Sequence, residues 1–90
     1  MTNLLDVRAA FEKAETDYNR AYRRAQWLEA RLMAAESDDE YNNYARQLEE
    51  QETALKYLGV ALMKARAAFV GEELRARYGD GFDRAAGGLI

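Results

Sequence analysis

No histidine, no cysteine and no proline occur in these 90 residues, and Ser37 is the only serine. Without histidine or cysteine there is no Ser–His or Cys–His nucleophile, and the commonest metal ligands are missing. Without cysteine there is also no disulfide framework and no thiol chemistry. Glycine is confined to Gly59, Gly71, Gly79, Gly81, Gly87 and Gly88, so no glycine-rich phosphate loop follows a strand. The acidic run "SDDE" at 37–40 lacks the alternating ligand spacing and the glycine of a calcium loop. The expectation is a non-enzymatic protein with no cofactor and no metal.

Long apolar runs are missing too. None approaches the roughly 20 residues that a membrane span requires. The first ten residues, "MTNLLDVRAA", lack a basic segment followed by an apolar one, so no signal peptide is visible. A soluble, cytoplasmic protein is expected, with no membrane partner and no small-molecule substrate. The net charge of −3 disfavours general nucleic-acid binding, which needs clustered positive charge to displace counterions.

What the sequence does have is helix-forming residues in a repeating pattern. Ala, Leu, Glu, Arg and Gln dominate, all good helix formers. From Leu4, steps of three and four meet Val7, Phe11, Ala14, Tyr18, Ala21, Ala25, Leu28, Leu32 and Ala35, every one apolar or aromatic. Asn3 suits an N-cap, and Asp6 suits the positive end of the helix dipole. Carried further, that register meets only polar residues: Asp39, Asn42, Arg46, Glu49 and Thr53. A second one begins two residues out of phase: Tyr41, Tyr44, Leu48, Gln51, Leu55, Leu58, Leu62, Ala65, Phe69.

The phase break predicts an all-α, antiparallel two-helix coiled-coil hairpin. Helix 1 covers about 4–36, a turn about 36–40, helix 2 about 40–78, and a glycine-rich tail 79–90. Ser37 and Glu40 have the spacing of a capping box, and Gly79 suits a C-terminal cap. A single unbroken helix is the alternative, since "SDDE" holds neither Gly nor Pro. A turn centred on Asp38 would place Tyr18 opposite Leu58, Ala25 opposite Gln51 and Leu32 opposite Tyr44. Small residues would then face large ones, and Gln51 would be a polar residue in the seam that fixes register.

Two further groups of residues lie outside the seam. Val60, Met63, Ala67, Val70 and Leu74 form a second apolar stripe on helix 2, read as lying away from the seam, with Leu5 and Ala9 extending it from helix 1. Such a stripe calls for a cover. The expected cover is a second copy, giving a homodimeric four-helix bundle; the tail (Phe82, Leu89, Ile90) and a different protein are the alternatives. The other group sits in "YNRAYRRAQW" at 18–27. There Arg20, Arg23 and Trp27, with Arg31 beyond, fall on the outer face of helix 1, a composition typical of interface hot spots. Arg23 and Arg31, each four residues from Trp27, are placed to stack on it. Glu49, Glu50 and Glu52 on helix 2 are placed to offset that positive charge.

Three functional readings follow. The first is a protein–protein interaction module acting through exposed helix faces. The second is a small inhibitor of a host nucleic-acid-processing complex, whose acidic face ("AESDDE" with Glu49, Glu50 and Glu52) occupies a basic channel. In its small size with its own Met1, its acidity and its lack of catalytic equipment, the chain resembles phage-encoded anti-defence proteins, including helical anti-CRISPR inhibitors. That likeness lies in general composition and not in a motif. The third is a nucleic-acid-associated protein using the helix 1 arginines.

Overall fold

The computed structural model describes residues 4–79, which form two helices: α1 (Leu4–Met33) and α2 (Asp38–Tyr78). They run antiparallel as a hairpin, and no strand occurs among the described residues. The molecule measures 63 × 28 × 18 Å. A 41-residue helix is about 61 Å long, so α2 alone accounts for the long dimension. Only one layer of helices is present.

The connection is tighter and earlier than the sequence suggests, spanning 34–37 instead of about 36–40. Helix 1 therefore stops at Met33 and not near residue 36. Its last turn closes with Ala34 N–H donating to Ala30 O at 3.1 Å and Ala35 N–H to Leu32 O at 3.3 Å. Ser37 is extended (φ −137°, ψ 158°), and its Oγ accepts from Glu40 N–H at 3.2 Å. Its hydroxyl thus satisfies one of the helix's free N–H groups, as the Ser37/Glu40 spacing predicts. Asp38, Asp39 and Glu40 fall in the first turn of α2, and Arg75 and Arg77 in the last, each complementing the helix dipole. At the far end Gly79 adopts φ 67°, the left-handed region that favours glycine, and its N–H donates to Arg75 O at 2.6 Å.

The seam follows the two predicted stripes. Val7, Ala21, Ala25 and Leu28 are buried, and all four belong to the helix 1 stripe. On α2 the matching residues Tyr44, Leu48, Leu55, Leu58, Leu62, Ala65 and Phe69 are half-buried. Leu28, at 1% exposure, is the one large side chain that is fully enclosed. No residue of α2 is buried.

The register differs from the expected one. Gln51 Nε2 donates to the backbone oxygen of Ala21 at 3.3 Å, one turn from the predicted Ala25. Arg24 pairs with Gln47 and Trp27 with Tyr44, so facing numbers near the turn add to 71 or 72, not 76. Tyr44 meets Trp27, and Tyr41 is exposed because α1 has already ended. Farther out, Tyr18 lies near Gly59 and the Phe11 ring meets Phe69 at 5.4 Å, pairs whose numbers add to 77 and 80, so the contacts along the seam fall on both sides of the expected 76.

Two substitutions test this core at fixed protein concentration, read by far-UV circular dichroism during denaturation. Leu28→Ala should cost about 2–3 kcal/mol, since it empties the one enclosed site. Ser37→Ala should cost about 1 kcal/mol through the lost cap.

Candidate interaction surfaces

Residues two apart on a helix point about 200° apart, so Glu15 and Asp17 flank the α1 seam on opposite sides. Each marks one broad face of the hairpin.

The Glu15 side carries an apolar groove between the helices. Tyr18, Leu55, Gly59, Val60, Leu62 and Met63 line one part of it, and Phe11, Glu15, Leu62, Met63 and Arg66 the next. Gly59 stands beside the Tyr18 ring, where a Cβ would meet Tyr18 Cε2 at 3.6 Å, an ordinary contact, so the groove does not depend on glycine at this position. Tyr22 stacks on Tyr18 with ring centroids 6.4 Å apart and shields it from one side. Val60 and Met63 of the second stripe stand at the outer edge of this shallow groove, on the side of α2 turned from the seam. They remain 51% and 72% exposed, which leaves most of both side chains in water. Ala67 and Val70 are exposed and Leu74 is half-buried, while Leu5 and Ala9 on α1 are exposed.

The Asp17 side carries the arginines. Trp27 is 44% exposed and is not an outward-pointing residue, because its ring meets the Tyr44 ring edge-on at 6.2 Å and 82°. Guanidinium carbons of Arg24 and Arg31 lie over the indole at 4.6 and 5.2 Å. Arg31 is an expected neighbour; Arg24 replaces Arg23. The i,i+3 spacing of Arg24 and Trp27 held that signal, but the outer-face reading passed it over in favour of i,i+4. Arg24 Nη2 also donates to Gln47 Oε1 at 3.4 Å, which ties the cluster to α2. Arg20 and Arg23 are exposed and make no hydrogen bond or ion pair among the described residues.

The charges of this cluster are concentrated in one stretch of α1. Among the described residues Arg8–Glu12, Lys13–Asp17 and Arg75–Glu72 form ion pairs, each within one helix. None involves Arg20, Arg23, Arg24 or Arg31, and none joins these four to Glu49, Glu50 or Glu52, whose carboxylates were expected opposite them. The reason is in the sequence. Three or four residues from these arginines stand Thr16, Asn19, Ala21, Gln26, Trp27, Leu28, Ala34, Ala35 and other arginines; Asp17 is the one acid, and it bonds Lys13 at 3.0 Å. Arg20 has Arg23 and Arg24 as neighbours at i+3 and i+4, each like-charge pair costing about 0.2–0.5 kcal/mol. Among the described residues no cluster of acids is grouped to hold a metal ion, and no helix is long and apolar enough to cross a membrane.

No protein family, no curated protein and no solved structure matches this chain.

Trp27→Ala should lower stability by about 1 kcal/mol, the scale of one aromatic pair at a partly exposed site, and less than Leu28→Ala. A denaturation midpoint that falls as far as it does for Leu28→Ala would make Trp27 a core residue.

Proposed function

We propose that this chain is a non-enzymatic protein–protein interaction module whose groove-side stripe pairs with a second copy to complete a four-helix bundle. The observation that carries this reading is the burial of α2. In a 41-residue helix no residue is buried, yet Val60, Met63 and Val70 stand in line on its surface. Helices with so wide an apolar surface are ordinarily covered.

A second hairpin is a good fit for that surface. Its own Met63 and Val60 would enter the groove beside Tyr18 and Phe11, and methionine adapts to irregular apolar gaps. A two-fold pairing uses the same patch on both copies, so one face serves both sides of the interface. The Arg/Trp faces would then remain on the outside of the bundle.

The inhibitor reading rests on the acids. Glu49, Glu50 and Glu52 are exposed and make no ion pair among the described residues, which suits docking in a basic channel. The acids at 38–40 already have a structural role in the first turn of α2, so they support that reading less. The bundle reading needs fewer assumptions, since it explains the exposed apolar residues directly.

Analytical ultracentrifugation separates the outcomes. The full chain should sediment as a dimer at high micromolar concentration, and Met63→Glu, which places a charge in the groove, should sediment as a monomer with its helicity retained. A full chain that stays monomeric throughout rejects the bundle.

A further inference from the structure

The arginines around Trp27 form a docking surface that the bundle leaves unused. We infer that this face binds an acidic segment of a partner polypeptide, with Arg24 and Arg31 as its fixed forks and Arg20 extending the groove beside them. The inference rests on reading the chain as a protein-binding module, but it concerns the opposite face from the Met63 stripe.

Three observations carry it. First, four guanidinium groups occur within residues 20–31, and none has a carboxylate partner among the described residues; Arg46, Lys56, Lys64, Arg66 and Arg77 have none either, but only these four are gathered in one short stretch of a single helix. The neighbouring positions on α1 hold almost no acid, and Gln47, Tyr44 and Gln51 opposite are uncharged. The positive charge is therefore available to something outside the chain. Second, two of the four are held in place. Arg24 and Arg31 lie over the Trp27 ring, and Tyr44 supports that ring from α2. A guanidinium resting on an aromatic face keeps its N–H groups free to bond a carboxylate by two parallel bonds, and it loses little freedom in doing so. Third, a groove adjoins them, lined by Arg20, Arg24, Asp17, Ala21, Gln51 and Leu58. Its one acid, Asp17, is engaged by Lys13 at 3.0 Å. An apolar floor with cationic walls suits a peptide that alternates acidic and aliphatic side chains.

A carboxylate-bearing peptide fits better than a nucleic acid. The band from Arg20 to Arg31 extends only about 17 Å along the helix, which reaches few phosphates. Single strands gain affinity by stacking bases on open aromatic rings. Here the indole is already engaged by two guanidiniums and a tyrosine. The chain as a whole is acidic, with a net charge of −3 even with the band included, and would repel a long polyanion that runs past it.

Fluorescently labelled polyglutamate, titrated with the full chain and followed by anisotropy, tests the surface. Trp27, the only tryptophan, reports the location through its own emission. Binding should saturate at near-physiological salt and shift the Trp27 emission. The double variant Arg24→Gln/Arg31→Gln should bind about tenfold more weakly. Lys64→Gln/Arg77→Gln, the same charge change elsewhere, should bind as the unaltered chain does. If the first pair loses helicity, Arg20→Gln/Arg23→Gln replaces it, since those side chains make no internal bond. Equal weakening by the Lys64/Arg77 pair overturns the inference, because it reduces binding to net charge. Tighter binding of an oligothymidylate of equal charge overturns it in favour of nucleic acid. Emission that responds to protein concentration alone, with none to polyglutamate, overturns it in favour of a second copy. Sedimentation of the same samples reads the Met63 face independently, so failure of one surface does not count against the other.

Discussion

A hairpin of two helices has one seam, and everything else about this protein depends on how narrow that seam is. Ala21 and Ala25 let α2 approach α1 closely enough to enclose Leu28, and Gln51 fixes the position by bonding the Ala21 carbonyl. Alanine brings the helices together but contributes little apolar area of its own. The large side chains of α2 therefore rest across the alanines and stay half in water. Close approach on α1 and incomplete burial on α2 are two results of the same choice of residues.

That incomplete burial divides the surface. On one side of the seam, Tyr18 and Leu62 line a shallow apolar groove with Met63 and Val60 at its edge. On the other, Trp27 bridges to Tyr44 and holds Arg24 and Arg31 against its ring. Each face suits a different kind of contact. The groove favours apolar packing, where area removed from water dominates. The arginine face favours directional bonds to oxygen atoms, which give specificity and fast encounter more than raw affinity.

Local features were legible where they depended on residues close in sequence. The Ser37 cap, the Gly79 cap and the helix 1 stripe can each be read from a few residues, because helix geometry fixes which neighbours meet. The capping box also contained the correct turn boundary, since a helix capped by Ser37 must begin at Asp38. Trp27 shows the limit at the candidate site. Its neighbours on α1 can be counted along the sequence, but its contact with Tyr44 on α2 cannot, so spacing alone places it on the outer face.

The sequence by itself determined that the chain is helical, that its stripe changes phase between Ala35 and Tyr41, and that Arg20, Arg23, Arg24 and Arg31 have almost no acid within one helical turn. These follow from spacing along a single chain, which a helix converts directly into position. Only the tertiary structure decided which residues face each other across the seam, that Arg24 and not Arg23 covers Trp27, and that Met63 borders a groove. Those depend on where one helix stops and the next begins. No periodicity within either helix records how the other is set against it.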